Sequence, residues 1–338
     1  MFFNSRKKKS LDNLYILALN AIFDGHDQKA LKLLRKIVTD NTDHIYAYIQ
    51  IGNILRTQGN YLGAIKIHQS LTVRPNLDSS MLKEIHRALA LDFMEVKDFK
   101  KAEAEANLVL KFDKKNLWAN KFLLNIYEKN ENWIDAIKIC KIIDKLSNGA
   151  MDYKIKISKY MTFEGKKQLE GNFLNDAIKF FEKSKKVDPH NRLSDLFLGN
   201  YFHKQMDKTK AIKHWMEYAN SNDLDKHLVY KPLINAFFET NRFDEVEGFF
   251  KKIIDINPED LHANLKLINF YEQKGNFDKA LIIIKEYLKK NQNSTLANLI
   301  YLKLKVIKSG NLELNKDLEK IIENELEKWN LSLFLYFF

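Results

Sequence analysis

The sequence predicts an all-α protein, a right-handed α-solenoid of stacked helix-turn-helix repeats. Three observations carry that expectation: a scarcity of turn residues, a small residue returning at near-constant spacing, and apolar slots in fixed register with it. Of 338 residues only 11 are Gly and 4 are Pro. All-β folds consume turn residues, so this scarcity points to long helices joined by short turns. Hydrophobic residues at 45% and charged residues at 29% fit a folded chain and exclude a disordered one.

The repeat itself is a turn residue, an aromatic or aliphatic residue, two polar residues and a small residue opening a helix. It reads as Gly59-Asn60-Tyr61-Leu62-Gly63-Ala64, Lys97-Asp98-Phe99-Lys100-Lys101-Ala102 and Gly275-Asn276-Phe277-Asp278-Lys279-Ala280. The recurring position is Ala30, Ala64, Ala102, Ala136, Ala177, Ala211, Val246 and Ala280, at spacings of 34, 38, 34, 41, 34, 35 and 34 residues. The tetratricopeptide period is 34 residues. A ninth, degenerate copy falls at Leu314. The two longer spacings are read as longer loops near Asn76–Met81 and Asn148–Lys156.

Twelve residues ahead of the recurring position the first helix needs a small residue for close packing, supplied by Ala18, Gly52, Ala90, Gly165 and Gly199. A large apolar residue precedes that slot at Leu17, Ile51, Leu89, Leu123, Leu198, Leu233 and Leu267. Aromatics follow it by three at Phe93, Tyr127, Phe202, Phe237 and Tyr271. Pro75, Pro189 and Pro258 close repeats where a helix cannot propagate. The expected organisation is a basic N-terminal tail over 1–10 and a solenoid over 11–324. Its nine repeats span 11–44, 45–78, 83–116, 117–150, 158–191, 192–225, 227–260, 261–294 and 295–324. An apolar C-terminal tail covers 325–338.

Charge and cysteine usage narrow the function. The net charge is +11, but four of those charges sit in Arg6-Lys7-Lys8-Lys9 and most other lysines alternate with acids. That reads as a solvated surface, and no specific nucleic-acid partner is expected. The single cysteine, Cys140, excludes an internal disulfide and a cysteine-based zinc cluster and fits a reducing compartment. No stretch approaches the roughly 18 apolar residues that span a bilayer, and the first residues lack the pattern of a secretory signal. A nucleophile with its base, a Gly-rich phosphate loop and a His-x-x-x-His pair are all missing. Cys140 and His68 fall at equivalent core positions of second helices, so both read as packing residues. No enzyme, cofactor or metal is expected.

The candidate functional residues are those projecting from the inner, concave face, at first-helix positions 2, 5, 9 and 12. Position 9 is Asn in five repeats: Asn53, Asn125, Asn200, Asn235 and Asn269. An amide donates to and accepts from an extended peptide backbone at once, and Asn is a weak helix former with no local reason to recur there. Lys121 and Lys231 stand one turn before Asn125 and Asn235, a pairing that can grip a carboxylate. Arg56 and Arg87 add positive charge. Tyr15 and Tyr46 supply apolar anchors, and Trp118 reads either as an anchor or as core. The partner these residues imply is a peptide segment of another protein.

The first three repeats resemble one family more specifically. Tyr48-Ile49-Gln50-Ile51-Gly52-Asn53-Ile54-Leu55-Arg56-Thr57-Gln58-Gly59 and Ala64-Ile65-Lys66-Ile67-His68-Gln69-Ser70-Leu71 are similar to lipopolysaccharide assembly protein B, as are Leu91-Asp92-Phe93-Met94 and Phe99-Lys100-Lys101-Ala102-Glu103. Beyond about residue 140 the likeness becomes general repeat similarity. The resemblance implies a scaffold at the inner membrane of a Gram-negative bacterium that presents the lipid A-committing deacetylase to a membrane protease. Members also carry an N-terminal membrane anchor and a C-terminal rubredoxin-like zinc module. Here no spanning segment precedes Tyr15 and no Cys-x-x-Cys follows Trp329, so metal binding is not carried over. The expected location is cytoplasmic with peripheral inner-membrane association. The apolar end, Leu331-Ser332-Leu333-Phe334-Leu335-Tyr336-Phe337-Phe338, is expected to dock on the last helix, since left exposed it would promote aggregation; shallow interfacial insertion and a lost module's stump are the alternatives. Two rival functions stand beside the adaptor: a generic repeat scaffold or chaperone in another pathway, and a binder of nucleic acid or anionic membrane through a basic face.

Overall fold

The computed structural model describes residues 2–147, 149, 153–221, 223–310, 318–322 and 325, with backbone alone over 2–10. Among the described residues there is no strand, and the chain divides into two compact units, Met1–Lys167 and Gln168–Phe338. In the first unit α1 (Phe2–Phe23) pairs with α2 (Asp27–Asp40), α3 (Ile45–Thr57) with α4 (Tyr61–Thr72), α5 (Ser79–Glu95) with α6 (Phe99–Phe112), and α7 (Leu117–Lys129) with α8 (Trp133–Leu146). Next is α9 (Tyr153–Glu170), and the division falls near its end. The second unit holds α10 (Leu174–Val187), α11 (Arg192–Lys204) paired with α12 (Lys208–Ala219), and a 3-10 turn (Leu224–Val229). There follow α13 (Tyr230–Glu239) with α14 (Asp244–Ile256), α15 (Leu261–Gln273) with α16 (Phe277–Lys290), and α17 (Thr295–Ser309). Within each unit successive pairs pack on one another, and the first helices α3 and α5 also touch. Each unit is an α-solenoid of tetratricopeptide-type helix pairs.

The turn inside each pair is chemically uniform. A left-handed residue sits five positions ahead of the recurring small residue, at Gly25, Gly59, Lys97, Glu131, Asn172, Met206, Asn241 and Gly275, and again at Gly310 after α17. From Gly25 through Gly275 the next residue's N–H bonds back to the first helix, as His26 to the Ala21 carbonyl at 2.7 Å and Asp207 to Phe202 at 2.9 Å. That closes the last helical carbonyls. In five turns the same residue caps the second helix: Asn60, Asp98, Asn132, Asp207 and Asn276 accept from backbone N–H groups three residues on. One short turn therefore ends one helix and starts the next.

The small slot works by volume. A Cβ added at Gly52 would come within 2.3 Å of the His68 ring, and one at Gly199 within 2.4 Å of the Trp215 ring. Both rings come from the second helix sixteen residues later, and both are buried. Where the slot is instead Leu124, the residue sixteen later is the small Cys140, fully buried as expected. Apolar side chains from successive pairs merge into shared cores, such as Ile85, Leu89, Phe93, Ala102 and Ile126 in the first unit. In the second unit Trp215, Tyr230, Phe237, Phe250 and Leu267 share another. The large slot is buried from Ile51 to Leu267, whereas Leu17 is 53% exposed.

Several expectations are corrected. The four extra residues near Asn76–Met81 lengthen α5 to 17 residues rather than forming only a loop. Asp78 caps that added turn by accepting from Met81 N–H at 2.8 Å. Likewise 153–156, assigned to the second long loop, belong to α9, where Tyr153 is buried. The basic run of 1–10 is, from Phe2 onward, the start of α1 and not a separate tail. Leu314 and, Glu325 apart, the tail 325–338 lie outside the described residues.

Candidate functional site

In the first unit the sequence-derived residues sit on first helices, but part of their chemistry turns inward. Tyr15 packs against His44 with the rings tilted and their centroids 4.9 Å apart. Burial raises its phenol above the ordinary value, against a hydrogen bond with Gln50, and Tyr46 lies close enough to add to the rise. Tyr46 is itself half-buried against the neighbouring core. Asn53 accepts from Arg56 Nη2 at 2.9 Å, and Arg56 Nη1 pairs with Asp92 Oδ1 at 2.8 Å. Asp92 is fully buried and also meets His68 Nδ1 at 2.5 Å, while His68 Nε2 faces the Ile49 carbonyl at 3.1 Å. The imidazole thus spans a carboxylate and a backbone carbonyl, one at each ring nitrogen. Arg56, expected as a groove cation, is thus matched by a buried carboxylate, and Asn53 is its hydrogen-bond partner. His68 is a buried packing residue with a polar role that the spacing did not reveal.

Further along, Arg87 lies over the Trp118 ring at 4.9 Å and near Glu84 at 3.8 Å. Trp118 stacks on Phe122 at 5.0 Å and is half-buried, so it serves as a platform for Arg87. Lys121 and Asn125 are both exposed one turn apart on α7. In the second unit Asn200 accepts from the buried Trp215 indole N–H at 3.0 Å, which ties it to the core while leaving the residue exposed.

Three of the expected residues converge. Lys231 and Asn235 from α13 and Asn269 from α15 line one pocket of about 230 Å³, together with Lys266, Gln273, Ile234, Phe238 and Phe270. Every polar side chain in that lining can donate a hydrogen bond, and two are ammonium groups. Burial, with the Lys231 charge close by, pushes the Lys266 ammonium down to about 8, and burial also lowers Lys231. The pocket is therefore suited to an anion: a negative group entering it would lift both ammoniums back toward their ordinary values. Phe238 and Phe270 form apolar walls, and Lys274 stands 4.4 Å over Phe270. Lys266 and Gln273 were missed in the sequence, although Lys266 lies one turn before Asn269 and Gln273 one turn after it.

Other features give less. Burial pushes the Cys140 thiol up to about 11, which disfavours a nucleophilic thiolate. Among the described residues no group of three or more His, Cys, Asp or Glu could hold a metal ion, and no helix is long and apolar enough to cross a membrane. A second pocket of about 440 Å³ beside the 3-10 turn contains His227 and His262, stacked with centroids 4.1 Å apart.

Comparison with known proteins agrees with the repeat. The tetratricopeptide repeat family model matches residues 237–301, which include five of the eight described residues lining the pocket. The chain is 21% identical over 285 residues to lipopolysaccharide assembly protein B of Escherichia coli (strain K12), covering 82% of this chain and 70% of that protein. It is 25% identical over 293 residues to the protein of the same name from Haemophilus influenzae, covering 83% and 72%. Among solved structures, one of Naa15/Naa10 bound to HypK-THB matches with a TM-score of 0.49 at 17% identity, covering 87% of this chain and 44% of that chain. The chain is an α-solenoid of tetratricopeptide-type repeats that resembles lipopolysaccharide assembly protein B along most of its length.

Proposed function

We propose that the chain is a non-catalytic adaptor that captures acidic segments of other proteins, with the Lys231–Asn235–Lys266–Asn269 pocket as its anchor. The observation that carries this is the convergence of two ammoniums and two amides between apolar walls. An acidic side chain or chain end placed there meets charge-assisted donors from two successive repeats, while Phe238 and Phe270 accept the flanking apolar residue. Lys121 with Asn125, and Arg87 on Trp118, offer a second contact of the same chemistry in the first unit. The likeness to lipopolysaccharide assembly protein B supports a role in limiting lipopolysaccharide synthesis. In that role the captured protein is the lipid A-committing deacetylase and the receiver a membrane protease, the chain working from the cytoplasmic side as a peripheral scaffold.

The test is capture of the candidate partner by the full chain and by two double variants. Lys231→Ala with Asn235→Ala should weaken binding about tenfold or more, the loss of one charge-assisted contact. Circular dichroism should stay unchanged. Lys121→Ala with Asn125→Ala should weaken it less. Unchanged capture by both double variants would remove the reading. Depletion in the host should alter lipid A levels; an unchanged level with capture intact would point to a scaffold in another pathway.

A further inference from the structure

The helix α1 has two unlike surfaces. Leu11, Ala18 and Ala21 are buried in the core shared with α2 and α3. On the other side Ile16, Leu17, Leu19 and Phe23 are exposed, Ile16 by 54% and Phe23 by 92%. Ile16, Leu19 and Phe23 follow the three- and four-residue steps that bring side chains onto one stripe. Single exposed apolar side chains are ordinary. Four of them over about two turns of one helix form a patch of the kind that marks an interface.

The chemistry around the stripe selects what covers it. Asp12, Asn13, Asn20 and Asp24 are exposed on and beside it. A helix lying in a membrane surface keeps its apolar face clear and sets lysines or arginines alongside. Acids and amides in that place oppose an anionic lipid surface and favour a positively charged protein helix. The chain carries such a helix itself. Its sequence sets Arg6-Lys7-Lys8-Lys9 in the first turns of the 22-residue α1, with Asp24 just past the last turn. We propose that α1 is a self-association face, on which the α1 of a second copy of this chain lies antiparallel, centred on Ile16. A twofold pairing needs a patch that complements itself. With Ile16 at the axis, position 8 of one helix lies opposite position 24 of the other, so both ends of the pair set a basic run against Asp24. About five full turns separate positions 6 and 24, which therefore share one side of the helix. The twofold axis keeps that side on the same edge of both helices, so these positions meet across the pair. Parallel pairing would instead set basic run on basic run, a like-charge juxtaposition that costs energy.

Sedimentation velocity and light scattering on the full chain read the assembly directly. The chain should pass from monomer to dimer as concentration rises, and added salt should weaken the dimer by screening the contacts at its ends. Ile16→Glu and Phe23→Lys each set like charges opposite one another, Glu against Glu at the axis and the new lysine against Lys9. Each should raise the dimer dissociation constant at least tenfold. Circular dichroism should not change, because both side chains are exposed in the single chain. Mild oxidation of cysteine variants tests the direction, and the buried Cys140 stays silent. Ile16→Cys sits on the axis and should link two copies. Phe23→Cys should not, since its two positions lie about 20 Å apart along an antiparallel pair. A chain that stays monomeric at every concentration, or a dimer indifferent to both charged variants, would overturn the proposal. Linking at Phe23→Cys as fast as at Ile16→Cys would overturn the antiparallel arrangement. A monomer that binds phosphatidylglycerol vesicles through Ile16 and Phe23 would assign the face to lipid, and the proposal would fall.

Discussion

Gly199 exists to admit one neighbour. Its missing Cβ is the space that the Trp215 indole occupies, and the same indole donates to Asn200. Gly199→Ala should therefore destabilise the chain by about 3 kcal/mol through overpacking, seen as a lower urea midpoint. Loss well under 1 kcal/mol would mean the ring moves freely. The small slot was legible in the sequence as a spacing rule, but the identity of what fills it was not, because the filler lies sixteen residues away on another helix. For the same reason Asn53 and Asn200 looked like free amides and prove to hold Arg56 and Trp215. Lys266 makes a residue-scale prediction of different sign. Its ammonium is disfavoured in the folded state, with a value near 8 against an ordinary lysine's 10.5. Below pH 8 folded and unfolded chains both hold the proton, and the folded chain bears the full penalty. Between 8 and 10.5 the folded chain releases it first, so stability rises with pH across that window. Lys266→Met should raise the melting temperature at pH 7, and the gain should shrink toward pH 10.5. A gain independent of pH would refute the electrostatic cause.

Helices in this chain are set by their ends more than by their middles. The turn between paired helices combines a left-handed residue, a back-bonded N–H and a capping side chain in two consecutive positions. Three of these turns use residues other than Gly or Asn, and Met206 is the plainest, with φ at 61° and a side chain 71% exposed. Met206→Gly should stabilise by about 1 kcal/mol from relief of the left-handed conformation, less the backbone freedom glycine adds to the unfolded chain. Thermal unfolding reads the sign, and a net loss would show the side chain contributes packing that its exposure hides. The sequence located these turns within a residue because the capping Asn and Asp stand in them. It misread the insertions, because added residues alone do not say whether a helix continues. Asp78, a good cap one position before Ser79, was the available clue.

At the level of the molecule, the period of the small residues was enough for the fold, since each repeat buries its apolar stripe only on its neighbours. The proposed binding face was half legible. Lys231, Asn235 and Asn269 were named from their phase, yet their union with Lys266 depends on two first helices lying side by side. The turn residues carry a consequence for how such an array breathes. Glycine holds the left-handed position at 25, 59, 275 and 310, while Lys97, Glu131, Asn172, Met206 and Asn241 hold it between them. Strain is thus graded along the chain and concentrated in its middle repeats. In a linear array opening can begin wherever nearest-neighbour coupling is weakest, so interior repeats, and not only the ends, are places where the stack loosens. The Asn241 turn follows α13, one of the two helices that line the pocket, and joins it to α14. A ligand that bridges Lys231 and Lys266 would clamp that junction from both sides and convert a local handhold into tension along the neighbouring repeats.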